Sequence, residues 1–396
     1  MLYEALRSIQ WCSRCETALA DAEVEYADET DPSIYVKFPL ADRPSESLLI
    51  WTTTPWTLPA NLAIAAHPDF RYAKVKLVHG EKTEYLWLME SAVPTVMALA
   101  GVKRYEIVET KTGKELVGLE YVHPLAGKIP YQAQVRGPWV HKLVPSDIVQ
   151  AEYTGLVHSA PGHGPEDFEL GQQLGLPAFS PVDERGRFVA DAGDYHTLHV
   201  KEANPVILQD LKDLHAMFVE DKLVHAYGHC WRCRTPILFR AAVQWFLKVS
   251  DIKGTMVEEV KRVRWYPDWA GSARQLDWTQ NLRDWCLSRQ RYWGTPLPIW
   301  RCAKCAHWTV VGSAEDLRKA DGYNEGMDLH RPGIDRVTLT CEKCEGTMHR
   351  VPDTVDVWFD SGVASWASLG YPSRDDEFRR WWPMDWIVEG PDQTRG

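Results

Sequence analysis

His229-Cys230-Trp231-Arg232-Cys233 repeats the pattern of Trp11-Cys12-Ser13-Arg14-Cys15, and the way these knuckles pair decides the fold. The chain carries nine cysteines. Eight form C-x-x-C pairs, Cys12/Cys15, Cys230/Cys233, Cys302/Cys305 and Cys341/Cys344, and Cys286 is left over. In an intracellular chain such pairs point to zinc or redox chemistry ahead of structural disulfides. A closed tetrahedral zinc site takes two pairs. Cys302/Cys305 with Cys341/Cys344 make a local ribbon. Cys12/Cys15 then has to find its complement at Cys230/Cys233. That pairing turns residues 16–229 into an insertion whose ends a metal clamps together, and an insertion with close termini leaves its host undisturbed. Half-sites without metal, or ligation by His229, are the alternatives. A thioredoxin-like role fits poorly, because no pair sits in a convincing strand–C-x-x-C–helix context.

At 396 residues the chain has room for about two to four domains. A hydrophobic content of 45% and a charged content of 25% describe an ordinary globular protein. No apolar run approaches the length of a membrane span, and the first six residues lack the basic and apolar regions of a signal peptide. The net charge of −11 gives no overall basic field. That argues against a pure nucleic-acid-binding module without excluding local basic patches. Nineteen tryptophans, several of them late in the chain, suit a core or an aromatic-walled pocket.

Inside the insertion, the apolar run Leu48-Leu49-Ile50 reads as a buried strand. It delivers Trp51-Thr52-Thr53-Thr54-Pro55-Trp56-Thr57-Leu58-Pro59-Ala60-Asn61. Four hydroxyls and an amide are packed into this stretch, and two prolines stiffen it by fixing φ. Such a loop can aim several neutral hydrogen-bonding groups into one pocket. Alone, it reads equally as a strand-to-loop junction rich in β-branched residues. The second notable stretch is His158-Ser159-Ala160-Pro161-Gly162-His163-Gly164-Pro165-Glu166-Asp167-Phe168. Pro165 followed by two acids suits a helix start, with the helix running to about Leu174. Asp167 has a plain reading as a dipole partner and His158 as a satisfied buried histidine. A glycine turn presenting His158, His163 and Asp167 together is more suggestive of a site. Strands are expected over 33–40, 72–78 and 85–89, and a short helix over 91–100. Residues 201–218 read as a helix, 241–249 and 254–263 as helical or mixed. Near the end, Ile387-Val388 reads as the end of a buried parallel strand, followed by acids and glycine where α/β sheets bind ligands.

Together these stretches resemble the isoleucyl-tRNA synthetases, which are class I aminoacyl-tRNA synthetases. The resemblance is carried by residues 51–61, 158–168, 229–236, 284–298, 355–362 and 389–396, and so extends over nearly the whole chain. Thr54-Pro55-Trp56-Thr57 departs from the TTRPET-type sequence of valyl enzymes, and leucyl enzymes fit less well. The resemblance implies an α/β fold: a strand-rich editing domain inserted in a partial Rossmann-type catalytic domain, with zinc knuckle and ribbon elements. It implies a hydrolytic pocket made by the threonine loop and the His158 stretch. Thr53, Thr54 and Asn61 match its hydrogen-bonding positions, His158 the residue that reads the misacylated side chain, and Asp167 the carboxylate that holds the substrate's α-ammonium group. Glu389, Gly390, Asp392 and Gln393 match a segment that contacts the aminoacyl-adenylate, and Trp358 lines the amino-acid pocket. A pocket for isoleucine excludes valine by only ~1–3 kcal/mol, a magnitude established for isoleucyl enzymes as a class rather than derived from this chain, so a second sieve is needed.

The expected layout is a knuckle and connection over 1–30, the editing domain over 31–200 and a return connection with the second half of the first zinc site over 201–283. A catalytic segment over 284–301, a zinc ribbon over 302–350 and the partial Rossmann domain over 351–396 follow. The resemblance also implies two zinc ions, with ATP and magnesium used by the full-length enzyme. Its partners would be isoleucine tRNA, isoleucine, valine and the aminoacyl-adenylate, in a cytoplasmic monomer with no membrane contact. The HIGH and KMSKS motifs of the family are absent, so the chain is expected to be an internal piece that cannot form isoleucyl-adenylate alone. The alternatives are a piece of a valyl or leucyl enzyme, or a non-catalytic zinc-dependent RNA-binding module.

Overall fold

The computed structural model describes residues 1–390, a mixed α/β chain rich in sheet. It divides into two compact units. One comprises residues 6–16 and 24–242, the other 1–5, 17–23 and 243 onward. The chain therefore leaves the second unit twice and returns to it.

The first unit begins in strand β1 (Leu2–Cys12), which crosses from one unit into the other. Its main sheet uses β2 (Val24–Pro39), β3 (Glu46–Thr52), β5 (Arg71–His79), β6 (Lys82–Met89), β7 (Glu106–Thr112) and β10 (Met217–Cys230). Their order is β10-β2-β3-β6-β5-β7. Only the β3–β6 pair of that sheet is parallel. Leu48, Leu49 and Ile50 of β3 are fully buried, as their unbroken apolar run requires of a strand covered on both faces. A smaller sheet, β9-β4-β8, holds β4 (Ala63–Ala66) between β8 (Lys142–Pro145) and β9 (Leu156–Ser159). The pairing His158↔Ile64 belongs to this sheet and puts His158 beside the end of the threonine loop.

The longer helices accompanying these sheets are α1 (Val93–Leu99), α2 (Pro165–Leu174) and α3 (Val200–Asp213). Helix α2 starts at its proline and ends at Gly175, whose left-handed φ of 69° suits a residue without a Cβ. Helix α3 stops earlier than the sequence suggests. His215 adopts a φ of 55°, which breaks the helical path, and the chain enters β10 two residues later. The segment expected as helical or mixed over 241–249 is instead largely strand β11 (Leu238–Leu247), whose end pairs with Trp285–Cys286. Short apolar runs fit both periods, and the pairing partner decides.

In the second unit, a four-stranded sheet builds a ribbon from β14 (Ile299–Cys302), β15 (Trp308–Val310), β16 (Thr338–Thr340) and β17 (Thr347–Arg350), in the order β15-β14-β17-β16. It packs Trp300, Leu317, Ile334, Val337 and Met348 against the cysteines. Helix α4 (Lys253–Arg262) comes before the two-residue strands β12 (Trp285–Cys286), β13 (Ser288–Arg289) and β18 (Thr354–Val355), and helices α5 (Val357–Ala367) and α6 (Asp376–Trp381) follow them.

A buried ionic cluster ties this unit together. Arg289 donates from Nε to Glu23 at 3.0 Å and from Nη2 to Asp356 at 2.8 Å, and Arg291 donates to the other Glu23 oxygen at 2.6 Å. The Glu23 and Asp356 side chains are wholly buried. Removing the cation would leave two buried carboxylates short of a partner, a loss of about 3–5 kcal/mol. Arg289→Met is therefore expected to shift urea unfolding of this unit strongly, whereas Arg318→Met, on an exposed pair with Glu315, leaves it unchanged.

One expectation fails here. Ile387 and Val388 are 63% and 78% exposed and form no strand. A parallel strand needs neighbours on its edges and helices over its faces, and the described residues supply none to this segment.

Candidate functional site

The threonine loop is a short 3₁₀ turn, Pro55–Ala60, entered from the end of β3. Its two prolines permit this tight path, and every residue of the turn is buried. The backbone is held from several directions. His123 Nε2 donates to the Leu58 carbonyl at 2.9 Å, and Gln132 Nε2 donates to the Pro59 and Asn61 carbonyls at 2.7 and 2.9 Å. The Trp56 amide donates to Asn204 at 3.0 Å. Burial depresses His123 to about 3, so it stays neutral and keeps one proton for Leu58.

Asn61 belongs to this scaffold. It is fully buried, its amide nitrogen donates to the Ala63 carbonyl at 2.8 Å, and its oxygen accepts from Tyr121 at 2.6 Å. The expectation that it offers its amide to a ligand is therefore revised: both ends of the group are engaged inside the fold. Thr53 and Thr54 are half-buried. The Thr52 oxygen accepts from the Thr54 amide at 3.0 Å and shares a proton with the Thr54 hydroxyl at 3.2 Å. Thr57 donates to the Thr54 carbonyl at 2.8 Å and lies 3.2 Å from His158 Nε2. The two notable stretches thus meet through Thr57 and His158, and Thr57, Tyr121 and Asn204 carry roles that the sequence reading did not assign. Thr57 lies within the threonine loop itself. Tyr121 and Asn204 carry no local signal.

Opposite stand His158, His163 and Asp167. Both imidazoles are buried, and burial lowers each to about 4. His158 Nδ1 and His163 Nε2 have no hydrogen-bond partner among the described residues. A buried polar atom left so costs about 1–3 kcal/mol, and a native fold keeps one where a ligand or water completes it. Asp167 sits in the first turn of α2, where the helix dipole favours a carboxylate. Desolvation outweighs this and raises it to about 6; the Glu166 charge adds to the rise, while the Ser159 hydroxyl and Ala160 amide oppose it. The residue as a whole is only partly buried, so the penalty falls on the carboxyl tip. Gly164 makes room for that tip: a Cβ there would lie 2.5 Å from Asp167 Oδ2. The site offers lone pairs and one anion, the complement of an ammonium group or a water.

Two cavities lie elsewhere in this unit. One of about 290 Å³ is lined by Lys37, Glu84, His123 and His215, and one of about 90 Å³ by Ser13, Trp56 and Tyr227. Neither is lined by Thr53, Thr54, His158 or Asp167. The Lys37 and Glu84 charges of the larger one already satisfy each other at 2.9 Å, whereas the histidine site holds unmet polar atoms.

The cysteines gather as two clusters, Cys12/Cys15/Cys230/Cys233 and Cys302/Cys305/Cys341/Cys344, each with its sulfurs within 4.8 Å of one another. All are free thiols. The contacts Cys12–Cys233 and Cys302–Cys344 are 3.4 Å, far beyond a disulfide and near the ~3.8 Å edge of a tetrahedron with Zn–S bonds of ~2.3 Å. Burial pushes the Cys12 thiol up, and that of Cys15 to about 11, whereas hydrogen bonds from Thr235 and the neighbouring cysteines bring Cys233 down to about 6 against its own burial. Both clusters therefore have the donor set and spacing of a structural zinc site. His229 is spoken for: it bonds Glu29 at 2.8 Å.

In the second unit, Asp356 caps α5 by accepting from the Trp358 amide at 3.1 Å. Trp358 is half-buried, and its indole nitrogen has no partner among the described residues. Glu389 and Gly390 are exposed. Asp392 and Gln393 lie outside the described residues.

Residues 1–396 match the family of class I tRNA synthetases for isoleucine, leucine, methionine and valine, and the chain belongs to that family. Within it, the chain is similar to the isoleucine–tRNA ligases. It is 54% identical over 388 residues to that of Archaeoglobus fulgidus, which covers 98% of this chain and 37% of that protein. It is 51% identical to those of Methanoregula boonei and Methanothrix thermoacetophila, across 100% of this chain and 36% and 37% of theirs. The chain thus spans little more than a third of the length of these relatives. A solved structure, "The crystal structure of GlLeuRS-CP1", aligns with 50% of this chain and 99% of its own at 14% identity. Its TM-score of 0.35 is too low to establish a shared fold. No helix among the described residues is long and apolar enough to cross a membrane.

Proposed function

We propose that the chain is part of an isoleucine–tRNA ligase and that its first unit carries an editing site, which hydrolyses valine wrongly esterified to isoleucine tRNA. The observation that carries this reading is the meeting of the clamped threonine loop with the neutral, incompletely bonded His158 through Thr57, with the desolvated Asp167 carboxyl nine residues further along the same stretch. Every aminoacyl ester presents an α-ammonium group, and Asp167 would hold it through a charge-assisted hydrogen bond. The Thr53 and Thr54 hydroxyls would orient the ester and its ribose, and His158 would meet the amino-acid side chain. The resemblance implies no serine or cysteine nucleophile. Hydrolysis by a positioned water then depends on orientation and polar stabilisation.

The metal clusters fit zinc in a structural role, with four protein ligands and no open position. The wider ligase reaction, with ATP, magnesium, isoleucine and the aminoacyl-adenylate, would place Trp358, Glu389 and Gly390 near the amino acid and adenylate, in a cytoplasmic monomer. The test is deacylation of isoleucine tRNA carrying valine or isoleucine. The valine ester is expected to be hydrolysed and the isoleucine ester spared. Equal rates on both would overturn the editing assignment.

A further inference from the structure

The prolines that stiffen the threonine loop also deprive it of donors. Pro55 and Pro59 have no N–H. The backbone bonds inside the turn run from the Thr57 amide to the Thr54 carbonyl and from the Asn61 amide to the Leu58 carbonyl, both at 3.0 Å. One side chain bridges the exit of the turn from outside. Gln132, buried on the short helical turn Pro130–Gln134, gives one amide hydrogen to the Pro59 carbonyl at 2.7 Å and the other to the Asn61 carbonyl at 2.9 Å. Both partners can only accept, so the amide nitrogen faces the loop and Oε1 faces away from it.

His141 fixes that orientation. Its Nε2 lies 2.8 Å from Gln132 Oε1, which can only accept, so Nε2 carries the ring proton. Burial, with the Arg136 charge, lowers the imidazole to about 4 and keeps it neutral at neutral pH. His141 takes a left-handed φ of 55° at the residue before β8. Histidine tolerates that region better than most side chains, and a backbone held there is constrained by its surroundings. Here the surroundings belong to the loop. The His141 amide donates to the Leu62 carbonyl at 2.7 Å, and its carbonyl accepts from the Tyr121 amide at 2.9 Å. Its ring lies 5.6 Å from that of Tyr121 and 5.9 Å from that of His123, the side chains that hold Asn61 and Leu58. The Leu62 amide in turn donates to the Ser159 carbonyl at 2.9 Å, one residue past His158. One network thus grips the loop exit from Leu58 to Leu62 and ties it to β9, the strand that carries His158.

We propose that Gln132 is a positioning residue for the hydrolysis, setting the place of the threonine loop against His158. This rests on the hydrolytic function proposed above. Gln132 acts through the Pro59 and Asn61 carbonyls, not on the ester. With both amide hydrogens and the oxygen engaged, the group has one orientation, and it registers two carbonyls of the loop at once. Thr57, two residues before Pro59, makes the loop's 3.2 Å contact with His158. A shift of the loop exit therefore displaces Thr57 from His158 and the neighbouring hydroxyls with it. Where a reaction depends on orientation, a misplacement of about 1 Å costs up to ~10²-fold in rate. A side chain that only filled space would need the volume of glutamine but not its amide.

Gln132→Met keeps the length of the side chain and removes the amide. In deacylation of valine-charged isoleucine tRNA by the chain, it is expected to lower kcat about tenfold or more with KM unchanged, and to melt lower. Val75→Ala, buried in β5 two strands away from β3, also melts lower but keeps the wild-type kcat below its melting temperature. Thr57→Val removes the loop's contact with His158. Because Gln132 acts through that contact, the double variant Gln132→Met/Thr57→Val is expected to be no slower than the slower single variant, whereas independent effects would multiply. If Gln132→Met does not fold, His141→Asn decides: asparagine suits the φ of 55° but cannot reach Gln132, and kcat should fall at unchanged KM. A folded Gln132→Met or, in its place, His141→Asn with wild-type kcat, a loss confined to KM, or effects that multiply in the double variant overturns the positioning role and leaves the editing function standing. A wild-type chain that hydrolyses neither ester removes the editing function and this role together.

Discussion

Replacing Asp167 by asparagine is expected to slow deacylation of the valine ester by roughly 10²-fold or more while leaving the chain as stable as before, or more stable, at pH 7. The activity loss follows from removing one partner of a desolvated charge pair, which costs about 2–5 kcal/mol. The stability gain follows from the direction of the pKa shift. Desolvation, with the Glu166 charge, raises the carboxyl from 3.8 to about 6 in the folded chain. A carboxyl whose folded pKa lies above its unfolded value binds more protons folded than unfolded between those two pH values. Its contribution therefore favours the fold at low pH and is lost as pH rises through about 4 to 6, the reverse of a salt-bridged acid. At neutral pH the free protein carries an ionised group that its surroundings disfavour, and an incoming ammonium relieves that penalty. Asparagine has nothing to ionise. In wild type, kcat/KM for the ester should rise as pH passes about 6. It should fall again where the α-amino group loses its proton, which for an ordinary α-amine is near 8. The asparagine variant should lose the acid-side rise. A variant that melts lower and hydrolyses normally would show that Asp167 is only a helix-dipole partner of α2.

The parts of this site that were legible in the sequence are those whose chemistry is local. The prolines, hydroxyls and buried run around residues 48–61 announce a stiff loop after a strand. Pro165 with two acids announces the start of α2, and it begins there. The C-x-x-C pairs gather as their spacing requires. What was not legible depends on partners distant in the chain. Asn61 reads as a binding group until Tyr121, sixty residues on, takes its oxygen. Thr57 reads as one more hydroxyl until the β9–β4 pairing brings His158 to it. The end of α3 turns on a left-handed residue, His215, that no glycine or asparagine marks. Ile387-Val388 has the composition of a buried strand, but strand formation needs neighbours that composition does not reveal.

Metal analysis of the purified chain is expected to find about two zinc ions, and the two clusters should differ in what their loss does. The second cluster closes a local ribbon packed around Trp300, Val337 and Met348. Cys344→Ser should remove one zinc and loosen that ribbon alone, seen as protease cutting between residues 302 and 344. The first cluster joins residues 12–15 to 230–233 across nearly a whole unit. A covalent link closing so long a loop would stabilise by about 5 kcal/mol through the unfolded chain. A metal acts differently: it binds the assembled thiolates of the folded form, so its stabilisation is its binding free energy, apparent values for structural zinc being about 10–16 kcal/mol. Against this, the antiparallel ladder from Met217↔Val36 to Cys230↔Val24 already holds the same ends together without metal. The ladder decides the form of the result. Cys233→Ser, or chelation, should leave the β2–β10 pairing in place and free the β1 knuckle, with Trp11 released from its 2.7 Å bond to the Glu184 carbonyl. Indole exchange and fluorescence at Trp11 should therefore respond to chelation before the circular dichroism of the sheet does. Simultaneous loss of both signals would show that the metal, not the ladder, holds the unit closed, and a metal-free chain with both signals intact would mean that the cysteines need no cation at all.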